Sequence, residues 1–351
     1  METIKVSTSR EYIVNIGKGF LNAIGEKIAE IKRVCRVVLI SDDIVFPLYG
    51  ETVKNSLEDN GYSVCEFVVP HGEGSKSFDN YHNILEFCAE NSITRTDLFV
   101  ALGGGVVGDL TGFVASTYLR GVDFVQIPTT VLAMVDSSVG GKTAINLKAG
   151  KNLCGAFYQP IAVFADCDTL NTLPNEYFND GCAEIIKYGM IYDKDFLVFL
   201  QDNDIKENLP YVIKRCVEIK RDIVSRDEFE KDERKLLNFG HTIGHAVEKC
   251  SNYSVSHGNA VAIGMVIATK GAYEVGMSEE DFSDVLLPIL KKNNLPTTCE
   301  FSAEELYKAS LSDKKRSFDT MSLIVPEEMG LCKIMKLPVE DLENFIEKGM
   351  N

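Results

Sequence analysis

Apolar and polar residues alternate differently in the two halves of the chain. In the first half, short runs rich in β-branched residues read as strands buried on both faces: Val37–Ser41, Ser63–Val69, Leu98–Leu102, Phe124–Ile127 and Ile161–Phe164. Ile4–Val6 and Tyr12–Ile16 alternate as a hairpin does. Between most of these strands apolar residues recur at the helical period, as in Tyr81–Ala89 and Leu110–Tyr118. Strand–helix–strand alternation predicts a parallel sheet covered on both faces. From about Asn175 the strand signals nearly vanish. Helical patterns take over at Leu209–Arg226, Glu233–Lys249, Gly258–Glu274 and Glu280–Asn293, and Pro210 suits the first turn of the first of them. One hairpin-like patch remains, Ser322–Val325 with Lys333–Met335, around a turn containing Gly330. The pattern predicts an α/β domain over residues 1–174 followed by a mostly α-helical domain over 175–351. No low-complexity linker separates them, and a cleft between domains is a favoured position for a site.

Composition narrows the function classes. The 351 residues are 45% apolar and 25% charged, ordinary for a folded chain that needs no disulfides for its core. A net charge of −16 with no basic run argues against nucleic acid as a partner. A small anionic substrate then needs a local cationic pocket. The ten cysteines form no Cys-x-x-Cys pair and predict reduced, buried thiols in a cytoplasmic protein. The N-terminus lacks the apolar core of a signal peptide, and no run approaches the ~18 apolar residues of a membrane span.

Three constellations carry candidate chemistry. Leu98–Leu102 runs into Gly103-Gly104-Gly105-Val106-Val107-Gly108-Asp109, the strand–glycine–helix layout that cradles a pyrophosphate on backbone N–H groups and a helix N-terminus. No ribose-binding acid follows at the usual distance, but Asp42 ends an earlier strand. A tight turn without ligand is the other reading. Second, three of only five histidines fall close together. His241 and His245 share one helical face, and His257 opens the next helical pattern. Such a set suits a zinc site with an open position, and Glu184, in a small and apolar helical turn, is a plausible further ligand. Satisfied core histidines are the alternative. Third, Lys142 on a glycine-rich turn and the Gly150-Lys151-Asn152 segment could hold a phosphate monoester, with Lys187, Lys220 and Arg234 adding cations. Each taken singly also reads as a solvated surface charge. The turn is not a nucleoside-triphosphate loop, because Asp136 stands where the first glycine is required.

The blocks Leu102–Gly112, Gln126–Ala144, Gly150–Pro160, Leu173–Gly189 and Leu236–Glu248, in this order and spacing, resemble the 3-dehydroquinate synthase family over nearly the whole chain, from about Asp42 to Asp313-Lys314-Lys315. The resemblance implies an N-terminal Rossmann-like domain that binds NAD and a helical domain that binds metal and substrate. It implies zinc, with cobalt as an alternative, on Glu184, His241 and His257. His245 then leaves the ligand set and becomes a catalytic residue on the phosphate side. NAD contacts are implied at Asp42, Glu73, Lys76, Gly104, Gly105, Asp109, Thr129, Thr130, Lys151 and Thr172. The substrate phosphate falls to Lys142, Asn152, Asn238, His245 and Lys314 or Lys315, and its carboxylate to Lys220 and Arg234. Asp136, Glu184 and Lys187 are placed near the ring hydroxyls. Arg120 is implied to reach a neighbouring subunit's site in a homodimer. The implied activity is a lyase reaction on 3-deoxy-D-arabino-heptulosonate 7-phosphate: transient oxidation by NAD, phosphate elimination, re-reduction, ring opening and aldol closure. Two rivals share the fold. Related sugar-phosphate cyclases differ at positions matching Lys220, Asn238 or His245, and a metal-dependent polyol dehydrogenase has no use for the Gly140–Asn152 block. A third rival is a non-catalytic nucleotide-binding or assembly protein.

Overall fold

A computed structural model describes residues 1–311, 316–317 and 319–351, with the backbone alone at 316 and 317. Lys314 and Lys315 lie outside the described residues. The chain forms two compact units: residues 1–174 with 220–228, and residues 175–219 with 229–351.

The first unit contains, in order, β1 (Glu2–Val6), β2 (Tyr12–Gly17), α1 (Ile24–Ala29), β3 (Arg36–Asp42), α2 (Glu51–Asp59), β4 (Ser63–Val69), α3 (Phe78–Glu90), β5 (Leu98–Gly103), α4 (Gly105–Thr117), β6 (Asp123–Pro128), β7 (Lys142–Leu147), β8 (Gly150–Phe157) and β9 (Ala162–Asp166). Seven strands make one sheet in the order β1-β2-β9-β6-β5-β3-β4. All neighbours are parallel except the β1–β2 hairpin at the edge. The side-chain period of two explains why the central strands are apolar throughout. Leu98, Val100 and Leu102 face one core with Ile24, Ile28, Val53 and Leu57, whereas Phe99 and Ala101 face the other with Ile84, Leu110 and Val114. After β4 the chain returns to pair β5 on the other side of β3. The strand order therefore reverses between β3 and β5, and the crevice at their C-terminal ends is where open α/β sheets take ligands.

One element of this unit differs from the sequence reading. The Gly140–Asn152 region is not only a turn: β7 and β8 form a two-stranded antiparallel ribbon, with Ile145 buried in the α3–α4 core. Glycines at its ends masked the alternation within it.

The second unit consists of α5 (Asn175–Tyr192), α6 (Lys194–Asp202), α7 (Leu209–Arg226, whose last residues belong to the first unit), α8 (His241–Cys250), α9 (His257–Glu274), α10 (Ser283–Lys292), α11 (Ala303–Ser310), the strands β10 (Arg316–Ser317), β11 (Thr320–Glu328) and β12 (Leu331–Pro338), and α12 (Leu342–Met350). Its core joins Ile243 and Val247 of α8, Ile263 and Ile267 of α9, Leu323 and Val325 of β11, and Phe345 and Ile346 of α12. The helix expected across Glu233–Lys249 is two pieces. A 3-10 turn spans Glu233–Asn238, and α8 starts afresh at His241 after Gly240, whose φ of 77° is left-handed. The apolar period runs through this break, which hid it.

None of the ten cysteines forms a disulfide. No described helix is long and apolar enough to cross a membrane.

Candidate metal centre and nucleotide-binding turn

Glu184 stands in the middle of α5 and is fully buried, His241 is the first residue of α8, and His257 is the first residue of α9. Glu184 Oε1 lies 3.5 Å from His241 Nε2 and 3.4 Å from His257 Nε2, and the three ligand atoms fall within 4.8 Å of one another. Metal–ligand distances of ~2.1 Å put adjacent ligand atoms of a tetrahedral ion ~3.4 Å apart, so the spacing fits a single divalent cation. The outward nitrogens are also held. His241 Nδ1 is 3.1 Å from the carbonyl oxygen of Phe239, and His257 Nδ1 is 3.5 Å from Glu248 Oε2. These are the second partners that fix the orientation and tautomer of ligating imidazoles. Burial disfavours a charged His257, yet its hydrogen bonds to Glu184 and Glu248 outweigh burial and raise the ring from 6.5 to about 10. Imidazole ligates in its neutral form, so a bound ion would take the place of that proton.

His245 shares α8 with His241 but does not join the Glu184 set. It groups instead with Glu248 and His257. Lys187, 1% exposed and one turn after Glu184, makes an ion pair with Glu184 Oε2. Arg234 is 1% exposed in the 3-10 turn that precedes α8. Asn238 ends that turn, and its side-chain amide donates to Glu230 Oε1 at 2.7 Å. Glu230 and Glu248 were missed in the sequence. Glu248 follows His245 by three residues on the same helix and could have been flagged from that spacing, whereas nothing in the sequence marked Glu230.

In the first unit, Gly103 ends β5 and Gly104 precedes α4 without any side-chain cap, so the first N–H groups of α4 are not masked by a capping side chain. Asp42 ends β3 on the adjoining strand, and its Oδ1 accepts from the backbone of Ile44 and Val45. Thr129 pairs its N–H with the carbonyl of Gly103 at 3.0 Å. The hydroxyls of Thr129 and of Ser137, which stands against Gly105, are buried with no hydrogen-bond partner among the described residues. Orphaned buried hydroxyls beside an uncapped helix start fit a site that a polar ligand completes. Thr130 caps the following turn through Ala133 N–H. Thr172 is exposed and bonded to Tyr49, and Lys151 is half-buried in β8.

Lys76 is the hub of a neighbouring network. Its ammonium donates to Asp109 Oδ2 at 2.6 Å and to Asn152 Oδ1, and lies 3.8 Å from Glu73. Asn146, not foreseen, ties this network to the ribbon: its side-chain Nδ2 donates to Glu73 Oε1, its side-chain Oδ1 accepts from Asn152 N–H, and its backbone N–H donates to the carbonyl of Lys76. Lys220 pairs with the Asp136 carboxylate and donates to its carbonyl at 2.7 Å. Lys142 opens β7 and is exposed. Arg120, also exposed, follows Leu119, and the two have φ of 68° and 49°.

This combination of a switch-point glycine turn and a carboxylate–bis-imidazole centre belongs to a known fold. The chain superposes with a TM-score of 0.88 and 25% identity on 2-deoxy-scyllo-inosose synthase complexed with carbaglucose-6-phosphate, NAD+ and Co2+, covering 99% of this chain and 100% of that one. The 2-epi-5-epi-valiolone synthase ValA of Streptomyces hygroscopicus subsp. jinggangensis 5008, with NAD+ and Zn2+ bound, shares the fold at a TM-score of 0.87 and 22% identity over 98% of both chains. The family models of the 3-dehydroquinate synthase N-terminal and C-terminal regions match residues 66–180 and 181–316. A curated 3-dehydroquinate synthase of Clostridium acetobutylicum is 41% identical over 99% of both chains. The chain belongs to the 3-dehydroquinate synthase family.

Proposed function

We propose that the chain converts 3-deoxy-D-arabino-heptulosonate 7-phosphate to 3-dehydroquinate and phosphate, as a lyase. The observation that carries this reading is the convergence of Glu184, His241 and His257 on one cation-sized position, in a chain 41% identical over its length to a curated member of the family. When bound, NAD supplies the transient oxidation and re-reduction, and the divalent cation supplies Lewis acidity at the reacting oxygens.

The chain's own residues bind and orient. Glu184, His241 and His257 hold the ion, zinc or cobalt by the donor set. The first unit binds NAD through Gly104, Gly105 and the α4 N-terminus, with Asp42, Glu73, Lys76, Asp109, Thr129, Thr130, Lys151 and Thr172 around it. Lys142, Asn152, Asn238 and His245 take the phosphate, together with Lys314 or Lys315. Lys220 and Arg234 take the carboxylate, and Asp136 and Lys187 the ring hydroxyls. Fixed cations offset the desolvation of a substrate with two anionic groups, and Lys187, Lys220 and Arg234 are cations already held buried by the fold. Holding one conformer while phosphate departs is the main catalytic contribution. We further propose a cytoplasmic homodimer in which Arg120, exposed on a strained turn, serves the neighbouring copy.

Phosphate release from the heptulosonate phosphate tests the reading. Turnover is expected to require NAD, to stop with chelator, and to leave no NADH behind. Steady NADH accumulation with a simple polyol, and no phosphate release, would support the dehydrogenase instead.

A further inference from the structure

The three residues read as ligands come from three helices, and two carboxylates outside that set act on one of them, His257. Asp180 lies one turn before Glu184 on α5. Its Oδ1 accepts from the backbone of Gly258 at 2.7 Å and of Asn259 at 3.2 Å, and from the Ser256 hydroxyl. Ser256, the residue before α9, makes no side-chain cap of its own. Asp180 is therefore the cap of the turn that begins with His257, and an uncapped first turn is where a helix frays. The contact is as close as backbone allows: a Cβ on Gly258 would stand 1.9 Å from the carbonyl oxygen of Asp180. The same stretch of α5 thus supplies Glu184 and locks the start of α9 against it. Glu248, on α8, acts on the ring itself. Its Oε2 is 3.5 Å from His257 Nδ1, while Nε2 faces Glu184 Oε1 at 3.4 Å. The ring is gripped at both nitrogens. His241, by contrast, is oriented by a backbone carbonyl that no substitution removes.

We propose that Glu248 and Asp180 are positioning residues of the metal centre. Glu248 fixes the ring of His257 by accepting its Nδ1–H, and Asp180 fixes the backbone that carries it, so that the ion meets a preformed set. The proposal rests on Glu184, His241 and His257 being the ligands. Neither carboxylate touches the ion, so their loss weakens binding without changing how many ions bind. Outer partners of this kind contribute roughly 10–100-fold in metal affinity.

The test is metal binding to stripped, full-length protein, by chelator competition with Zn2+ and by the visible absorption of the Co2+ form, which reports coordination geometry. Glu248→Gln is expected to bind one ion per chain, roughly 10–100-fold more weakly than the unsubstituted protein, with a shifted Co2+ spectrum. Asp180→Asn keeps an acceptor oxygen and is expected to lose less affinity than Asp180→Ala. Unchanged affinity and spectrum in Glu248→Gln would overturn the proposal even if Asp180→Ala fails to fold. Two ions per chain, one of them lost in Glu248→Gln, would assign His245, Glu248 and His257 to a second cation and overturn it equally. Normal metal uptake by His241→Ala, or none by the unsubstituted protein, would instead overturn the ligand assignment on which the proposal rests.

Discussion

Lys76 is 4% exposed, and its ammonium is answered by Asp109, Asn152 and, at longer range, Glu73. Burial raises the Asp109 carboxyl, and the Lys76 ammonium opposes that rise only in part. Removing one partner of such a pair leaves a desolvated charge without its counterion. Lys76→Met is therefore expected to lower stability at pH 7 by about 3 kcal/mol in urea unfolding. The sign with pH follows from linkage. The substitution raises the folded-state titration of Asp109 further above its unfolded value, so the folded chain takes up a proton more readily and the loss shrinks as pH falls. A deficit that stays constant from pH 7 down to pH 5 would show that Asp109 does not depend on Lys76. The same residue bears on function, because Lys76 and Asp109 are both proposed NAD contacts, and the variant should bind NAD more weakly by calorimetry.

Helices α8 and α9 place His241 and His257, and their approach depends on residues without side chains. A Cβ on Gly264 would be 2.0 Å from the carbonyl oxygen of Gly240, and one on Gly244 would be 3.0 Å from the carbonyl oxygen of Ala260. The backbones touch, so the two imidazoles, at ring centroids 5.2 Å apart, are set by helix packing rather than by side-chain reach. Gly264→Ala is expected to wedge the helices apart and to cost about 3 kcal/mol, the upper range for overpacking. The folded fraction should bind Zn2+ with reduced affinity. A variant with normal melting and normal zinc content would mean that the helices can slide to absorb a methyl group without moving the ligands.

At the scale of the molecule, cofactors and stability are linked. An ion or nucleotide that binds only the folded chain stabilises it by about 2.7 kcal/mol at a hundredfold excess over its dissociation constant. Stripping metal with chelator should lower the melting temperature, and saturating NAD should raise it. Calorimetric scans with and without each ligand check this, and no shift on metal removal would argue against a folded-state site at Glu184, His241 and His257. The net charge of −16 belongs to this scale too. It repels anions at long range, so binding one requires fixed local cations to outweigh the overall field.

The sequence by itself determined the larger part of the architecture. Unbroken apolar runs such as Val37–Ser41 are strands because only a sheet covered on both faces buries every side chain, and the helical period after Asn175 is equally local information. The glycine turn after β5 and the three clustered histidines were legible for the same reason, being carried by adjacent residues. What lies far apart in the chain was not carried by spacing or periodicity: the family resemblance implied the set of Glu184, His241 and His257, and tertiary structure decided the rest. Spacing alone put His241 and His245 on one helical face, but the position of α5 brings Glu184 to His241 and His257 and leaves His245 with Glu248. The break at Gly240, the ribbon β7–β8, the Asn146 link to Glu73 and the Asp180 cap on α9 were likewise hidden. Periodicity records which face of an element is apolar, but not which element packs against it or how closely, and a metal centre is fixed by that closeness.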